Sequence, residues 1–102
     1  MNRGDVYEVE FPSGRRPAVI VTRDQAIPLL RNVTVAEITG TARGLPTEVH
    51  LGVREGLVRE CVASCDNLQT VPKAALGRHR GALVPEMTYR LNQALAIALG
   101  LD

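Results

Sequence analysis

The sequence predicts a mainly β domain with helices: a small antiparallel β-barrel closed by one amphipathic C-terminal helix. Two observations favour this fold class. The first two-thirds of the chain consists of short apolar or alternating segments divided by turn residues, which is typical of a small barrel. From Glu86 onward, apolar residues recur at helical spacing instead. The length of 102 residues suits one domain, so we expect residues 1–102 to form a single unit.

Five strands are predicted in the β part of the chain. Residues 5–11 alternate between polar and apolar side chains, as a half-buried strand does. Residues 18–21 form a continuous apolar run, which suits a strand covered on both faces. The third, fourth and fifth strands are predicted at residues 33–39, 47–51 and 58–65.

Turn and helix signals divide these strands. The sequence Pro12-Ser13-Gly14 predicts a tight turn between the first two strands. Residues 25–31 suit a short helix interrupted by a proline, and residues 67–76 suit a loop followed by a helical turn that begins at Pro72. Gly100 stands where the C-terminal cap of the last helix is expected.

Composition excludes several classes of function. The chain has 12 basic and 11 acidic residues and a net charge of +1, so any site for a polyanion must be a local patch. Aromatic residues are only 3% and there is no Trp, which argues against a broad base-stacking surface. No apolar run approaches the roughly 18 residues of a membrane span, and the N-terminus is charged at once. We therefore expect a cytoplasmic protein with no membrane partner.

The sequence contains no pattern typical of a metal or cofactor site. Cys-x-x-Cys, His-Glu-x-x-His and a phosphate-binding glycine loop are absent. Cys61 and Cys65 are predicted on one face of a strand, where they suit reduced, buried small hydrophobes rather than zinc ligands. His50 and His79 suit separate solvated positions, which argues against a two-histidine ribonuclease. Ser64 lacks the glycine elbow of a serine hydrolase. We expect no metal and no cofactor.

The segment Gly14-Arg15-Arg16-Pro17 is the most informative candidate. Two guanidinium groups follow a tight turn and precede the most apolar strand, and Pro17 restricts Arg16 to extended geometry. The pattern alone favours an ordinary solvated pair of arginines over a phosphate site. A second candidate is the end of the third strand, where Thr39 and Thr41 present hydroxyl groups at a glycine turn; that pattern alone is most often a turn with local hydrogen bonds.

The order of these segments resembles the MazF/PemK family of bacterial toxin endoribonucleases, also called mRNA interferases. The resemblance covers nearly the whole chain. The matching segments are Arg3-Gly4-Asp5-Val6-Tyr7, Arg16-Pro17-Ala18-Val19-Ile20-Val21, Val35-Ala36-Glu37-Ile38-Thr39, Leu45-Pro46-Thr47-Glu48-Val49, Asp66-Asn67-Leu68-Gln69-Thr70-Val71 and Gly81-Ala82-Leu83.

The resemblance implies an SH3-like barrel that forms a homodimer and cleaves single-stranded RNA at a short sequence without a metal. It makes Arg16 and Thr39 the catalytic pair. The 2′-hydroxyl of the substrate would attack the adjacent phosphate and leave a 2′,3′-cyclic phosphate and a 5′-hydroxyl. Because the nucleophile belongs to RNA, the protein need only position the chain and stabilise charge, with Arg16 as a fork on the phosphate and Thr39 on a phosphate oxygen.

The resemblance also implies further contacts. The expected RNA-binding residues are Arg15, Thr41, Arg43, Asp66 and Gln69. The partner expected to neutralise the toxin is a cognate MazE-like antitoxin, whose disordered acidic tail would cover the RNA channel. The arginines predicted to dock that tail are Arg15, Arg16, Arg43, Arg78 and Arg80.

The chain departs from the family pattern at three places. The turn at residues 12–15 is shorter than the usual loop that helps to grip RNA. Gly40 stands where many members carry Ser or Thr after the catalytic Thr, with Thr41 next to it. Near the end of the fifth strand the PemK branch carries Arg-x-Asp, whereas this chain reads Ser64-Cys65-Asp66 and so keeps only the aspartate.

Two alternatives remain open at this stage. One is a non-enzymatic gyrase poison of the CcdB type on the same fold. Those toxins use a C-terminal tip that contains Trp, whereas this chain ends Leu99-Gly100-Leu101-Asp102 and has no Trp. The other is an RNA-binding barrel without catalysis, which would bind RNA and leave it uncut.

Overall fold

One antiparallel sheet of six strands and one α-helix make up the computed structural model, which describes residues 1–102. The strands follow the order β4-β5-β3-β2-β1-β6 across the sheet. The elements in chain order are β1 (Asp5–Phe11), β2 (Gly14–Ile20), β3 (Asn32–Thr39), β4 (Glu48–Leu51), β5 (Cys61–Pro72), β6 (Leu76–Ala82) and α1 (Pro85–Ala98). The predicted mainly β fold with a C-terminal helix is confirmed, with one strand more than expected.

The sheet curls into a half-barrel, and the turn that follows one edge strand meets the other edge strand through two glycines. The 3-10 turn Val53–Glu55 follows β4 and contacts β6 at the opposite edge of the sheet. A methyl carbon on Gly56 would lie 2.6 Å from the carbonyl carbon of Arg80, and one on Gly81 would lie 2.8 Å from the carbonyl carbon of Glu55. Only residues without a side chain permit this backbone contact.

Strand β2 is covered on both faces, as its apolar run predicts. Val19 belongs to a cluster of buried side chains that includes Leu91 of α1 and packs between the sheet and the helix. Ala18 and Ile20 face the other way, into a second cluster that includes Phe11. Because successive side chains of a strand point to opposite faces, one strand contributes to both parts of the core.

The predictions for the fifth strand and its surroundings were wrong in their boundaries. Strand β5 begins at Cys61 rather than at residue 58 and continues to Pro72, through most of a segment predicted as loop. A 3-10 turn at Lys73–Ala75 and strand β6 follow, and β6 was not predicted. Residues 67–70 are polar or half-exposed, so their strand conformation depends on pairing with β3 rather than on an apolar pattern.

Residues 24–29 form consecutive turns, in place of the short helix predicted at residues 25–31. The backbone N–H groups of Leu29 and Leu30 both donate to the carbonyl oxygen of Ala26, at 2.9 and 3.1 Å. Pro28 has no N–H to donate and interrupts any regular helical ladder in this segment. Strand β2 also begins earlier than predicted, at Gly14, so Arg16 lies within the strand rather than just before it.

Helix α1 begins and ends where the sequence indicates. Pro85 is its first residue, where the missing N–H leaves no hydrogen bond unmade. Gly100 has a positive φ of 71° just beyond the last turn, and the N–H of Leu101 donates to the carbonyl oxygen of Ala96 at 2.7 Å. This is the hydrogen-bond pattern of a glycine C-cap. No helix of the structure combines the length and apolar character needed to cross a membrane.

The two cysteines are expected to be poorly reactive in the native protein. Both are free, Cys65 is buried and Cys61 half-buried, and both pack against the cluster beneath α1. Burial raises the pKa of the Cys65 thiol to about 11 and also raises the pKa of Cys61. The raised pKa values keep both thiols protonated at neutral pH, and a protonated thiol is unreactive because only the thiolate is the nucleophile.

A thiol-reactive disulfide reagent should label both cysteines slowly in the native protein and fast after unfolding. Rapid labelling of Cys65 in the native protein would contradict this expectation.

Candidate active site

A polar cleft of about 230 Å³ opens where β2 enters the sheet and β3 ends. Its walls come from β2, β3, β4, β5 and the segment of residues 40–47, and Leu45 is its only hydrophobic lining residue. Cations, carboxylates and hydroxyls therefore meet in a single depression. This chemistry suits a charged, hydrogen-bonding ligand rather than an apolar one.

Strand pairing brings Arg16 and Thr39 into this cleft together. Strands β2 and β3 are antiparallel, and Ala18 pairs with Glu37. Arg16 lies two residues before Ala18, and Thr39 lies two residues after Glu37. Because side chains alternate along a strand, Arg16 and Thr39 therefore project from the same face of the sheet, and both line the cleft. The two residues predicted as a catalytic pair thus share one cavity, although they lie 23 positions apart in the chain.

Arg16 is oriented by hydrogen bonds and still partly open to solvent. Its Nη1 donates to Glu37 Oε1 at 3.1 Å, and its Nη2 donates to Ser13 Oγ at 3.2 Å. The other oxygen of Glu37 accepts a hydrogen bond from Gln69 Nε2. The Arg16 side chain is 47% exposed, and a guanidinium has five N–H donors, so donors remain for an anion in the cleft.

A bulge in β5 supplies the opposite wall. Ile38 of β3 pairs with Ala63, but Ala36 pairs with Leu68, so residues 64–67 of β5 stand opposite a single residue of β3. Extra residues on one strand bend it and redirect its side chains. The bulge therefore turns the polar stretch of β5 toward the cleft.

The bulge residues are hydrogen-bonded to one another and to the segment before β4. Asp66 Oδ2 accepts a hydrogen bond from Thr47 Oγ1 at 2.6 Å, and Asn67 Nδ2 donates to Ser64 Oγ at 3.2 Å. The backbone N–H of Cys65 also donates to the carbonyl oxygen of Thr47, at 2.9 Å. These bonds give the wall a defined shape before any ligand arrives.

Glu48 holds the segment of residues 40–47 against the cleft. Its carboxylate accepts hydrogen bonds from the backbone N–H groups of Arg43 and Leu45, all at 3.1 Å. Desolvation alone would raise the pKa of Glu48, but the hydrogen bonds from Leu45, Arg43 and Gly44 outweigh it and lower that pKa. Glu48 is thus an anion committed to the backbone, whereas the Arg43 guanidinium forms no ion pair.

The structure brings most of the predicted site residues together. Beside the catalytic candidates, Thr41, Arg43 and Asp66 line the cleft, and Gln69 lies behind Glu37 and contacts it. The N–H of Thr41 also donates to Thr39 Oγ1 at 3.3 Å, which is the local turn bond that the sequence pattern favours.

Arg15 does not join the cleft. It follows the alternation of β2 onto the opposite face from Arg16, where its Nη2 lies 3.4 Å from Glu10 Oε1. There it lines a separate groove together with Arg78. Arg80, predicted as a docking point for an acidic tail, has a side chain only 17% exposed and forms an ion pair with Glu8 at 3.1 Å, so it is not free for a partner.

Sequence reasoning missed four polar residues of the site, namely Glu37, Glu48, Ser64 and Asn67. Glu37 was the easiest to find, because it lies two positions before Thr39 on an alternating strand and must share its face. The roles of Glu48 and Asn67 depend on the segment of residues 40–47 and on the β5 bulge, neither of which has a local signature.

The histidines lie away from the cleft. His50 is exposed on β4, and His79 stacks against Tyr7 with 5.0 Å between ring centroids and lies 3.7 Å from Asp5. Neither lines the cavity that holds Arg16. The structure contains no group of three or more His, Cys, Asp or Glu side chains that could hold a metal ion.

The curled antiparallel sheet with one C-terminal helix is the fold of solved bacterial toxins. The Mycobacterium tuberculosis toxin MazF-mt6 superposes with a TM-score of 0.91 at 42% identity, over 96% of this chain and 98% of that one. A mycobacterial structure titled as an endoribonuclease in complex with its cognate antitoxin gives a TM-score of 0.92 at 33% identity, over 100% and 97%.

Sequence comparison identifies the family. The family described as PemK-like, MazF-like toxin of type II toxin-antitoxin system matches residues 2–99. Endoribonuclease MazF3 of Mycobacterium tuberculosis is 47% identical over 87 residues, which cover 85% of this chain and 84% of that protein. Probable endoribonuclease MazF2 of the same organism is 34% identical over 98% of this chain and 99% of that protein. The chain belongs to the PemK/MazF toxin family.

Proposed function

We propose that this toxin is an endoribonuclease that cleaves single-stranded RNA at a short sequence, with Arg16 and Thr39 at the scissile phosphate. Its relatives carry the name endoribonuclease, and its family consists of toxins of type II toxin–antitoxin systems. The observation that supports the site is the presence of Arg16 and Thr39 in one polar cleft. We take residues 1–102 to act as one domain, and the RNA substrate places its action in the cytoplasm.

The cleft residues suit an attack by the substrate's own 2′-hydroxyl. The remaining donors of Arg16 can hold the phosphate as a fork and stabilise the charge that develops on the phosphorane. The Thr39 hydroxyl can donate to a second phosphate oxygen. Cleavage then yields a 2′,3′-cyclic phosphate and a 5′-hydroxyl, and DNA is not a substrate because it lacks the nucleophile.

The other cleft residues suit the contacts of an RNA chain on either side of the scissile phosphate. Arg43 has a guanidinium without an ion-pair partner, which fits a neighbouring phosphate. Thr41 and Asp66 can bond to sugar hydroxyls or to base edges, while Gln69 supports Glu37 from behind.

The proposed partners are a cognate MazE-like antitoxin and a second copy of this chain. An acidic antitoxin segment would compete with RNA for Arg16 and Arg43, and a longer segment could also reach Arg15 and Arg78 in the separate groove that they line. A homodimer would cover some of the large apolar side chains that the single chain leaves exposed. Those that are at least 64% exposed are Leu29, Val53, Val58, Tyr89 and Leu101.

The purified toxin should cut a long single-stranded RNA in the presence of excess EDTA. We expect discrete fragments with 5′-hydroxyl and 2′,3′-cyclic phosphate ends, because the proposed chemistry needs neither a metal nor an external nucleophile. The measurement is primer extension together with end-group analysis, and the same sequence made as DNA serves as the control. RNA that remains intact, or that is cut with 5′-phosphate ends, would overturn the proposal; RNA that is bound but uncut would indicate a non-catalytic barrel.

A further inference from the structure

We propose that Glu37 is the general base that removes the proton from the attacking 2′-hydroxyl. This rests on the proposed function, since it requires an RNA phosphate at Arg16. The observation behind it is that Glu37 Oε1 lies 3.1 Å from Arg16 Nη1, inside the polar cleft, with a side chain only 15% exposed.

The proposed reaction needs a proton acceptor that Arg16 and Thr39 do not supply. A 2′-hydroxyl is a weak nucleophile until its proton leaves, and a positioned base accelerates such a step by about 100- to 10,000-fold. A guanidinium is a cation with no site to accept a proton, so Arg16 cannot serve as the base. A threonine hydroxyl is not a base at neutral pH either. The reaction therefore needs a third side chain as the base, and a carboxylate can fill that role.

Of the three carboxylates that line the cleft, Glu37 is the one in contact with Arg16. Glu48 is occupied by the backbone N–H groups of the segment of residues 40–47, and its lowered pKa makes it a weaker base. Asp66 accepts a 2.6 Å hydrogen bond from Thr47 on the opposite wall. Glu37 is therefore the carboxylate nearest to the expected position of the phosphate.

The geometry of RNA places the 2′-hydroxyl beside this carboxylate. In RNA the attacking oxygen and the scissile phosphorus belong to one nucleotide unit and come within about 3.5 Å in a reactive conformation. A phosphate held by Arg16 therefore brings the 2′-hydroxyl toward the group that Arg16 already contacts. Glu37 and Thr39 lie two residues apart on one face of β3, about 7 Å, which spans a ribose and its phosphate.

Both hydrogen-bonding partners of Glu37 are compatible with this role. Arg16 bonds to one carboxylate oxygen and Gln69 to the other, which fixes the carboxylate in one orientation. Each carboxylate oxygen can accept more than one hydrogen bond, so a further donor such as a 2′-hydroxyl can still be accommodated.

The proton balance of the step closes with water alone. The 2′-oxygen gives its proton to the Glu37 carboxylate and forms a bond to phosphorus. The bond between phosphorus and the 5′-oxygen breaks, and that oxygen takes a proton from water. Glu37 then returns its proton to solvent, so the carboxylate is regenerated and no redox change occurs.

The proposal implies a loss of rate at acid pH, because a general base acts only in its deprotonated form. The charged groups that share the cleft with it are Arg16 from β2, Arg43 from the segment of residues 40–47, Glu48 from β4 and Asp66 from β5. Gln69, which packs against it from β5, is neutral.

Glu37→Gln is the decisive variant, because the amide keeps the size of the side chain and an oxygen for Arg16 but cannot accept the proton. We expect the single-turnover cleavage rate at saturating enzyme to fall by about 100-fold or more. The loss of rate at acid pH should disappear. The affinity for a non-cleavable RNA with a 2′-deoxy substitution at the cut should stay within a few-fold of that of the unsubstituted protein. Glu86→Gln serves as the matched control, since Glu86 pairs with Arg90 at 3.7 Å on α1 and lines none of the cavities described here.

Glu37→Asp tests the same role with a carboxylate retained, and it should keep the acid dependence with a reduced rate. Cleavage by Glu37→Gln at or above the unsubstituted rate would overturn the proposal, because the carboxylate would then only compete with the phosphate. A loss of affinity for the 2′-deoxy RNA as large as the loss of rate would also overturn it, by showing that Glu37 only positions Arg16. Absence of cleavage by the unsubstituted toxin would instead be a failure of the proposed function itself.

Discussion

Arg16→Ala is expected to reduce RNA cleavage at least 100-fold while leaving the fold intact. Arg16 and Arg43 are the two cations that line the cleft, and Arg16 is the one that contacts Glu37, so its removal deletes the proposed stabilisation of the phosphorane. Losing one such donor typically costs about 100- to 1,000-fold in rate. Its ion pair is partly exposed and contributes at most about 1 kcal/mol to stability. Single-turnover cleavage of a defined RNA and thermal unfolding are the two measurements.

Arg15→Ala is the matched control for that experiment. Arg15 neighbours Arg16 on the same strand and also pairs with a glutamate, but it lies on the opposite face and outside the cleft. Its removal should reduce cleavage far less than that of Arg16. Arg16→Lys should recover only part of the rate, because an ammonium keeps the charge but not the fork. Equal losses for Arg15→Ala and Arg16→Ala would contradict the assignment of the site to this cleft.

Gly56→Ala is expected to lower the stability more than any surface substitution. A side chain there would lie 2.6 Å from the carbonyl carbon of Arg80, at the contact that joins the two edges of the curled sheet. The φ of 87° adds the strain of a left-handed alanine. Overpacking and left-handed strain together cost about 3 kcal/mol or more, out of a total of about 5–15 kcal/mol. For a domain of this size the melting temperature should fall by about 10–20 °C.

Gly44→Ala separates the two contributions. Gly44 has a similar φ of 72°, but nothing lies within 4 Å of the position that its side chain would occupy. This variant should therefore show the conformational strain alone, about 1–2 kcal/mol. Urea or thermal unfolding of both variants gives the comparison. If Gly56→Ala unfolds no earlier than Gly44→Ala, the close contact between the edges of the sheet is not a determinant of stability.

The local sequence pattern was sufficient to predict a strand or helix wherever at least one face of that element is buried. The alternation in β1 and the apolar run in β2 predicted strands that the structure contains, and the helical spacing after Glu86 predicted α1 with its Gly100 cap. In each case the period of apolar residues matches the geometry of the element.

The local sequence pattern failed to predict the structure where pairing with a neighbouring strand decides the backbone conformation. The second half of β5 and all of β6 carry many exposed polar residues, and their hydrogen bonds to β3 and β1 make them strands. The reverse applies at residues 25–31, where an apparent helix became a series of turns around Pro28. Contacts with distant segments override weak local preferences in both cases.

The sequence alone determined the order of the apolar segments and the position of the C-terminal helix. It also contained the motifs that resemble the MazF/PemK family, which include Arg16 and Thr39. The three-dimensional arrangement decided which charges meet. The register of β2 on β3 placed Arg16 beside Glu37 and turned Arg15 away, and a bulge in β5 set Asp66 across the cleft. These placements depend on pairing between strands far apart in the chain, and a one-residue shift in register would send each side chain to the opposite face.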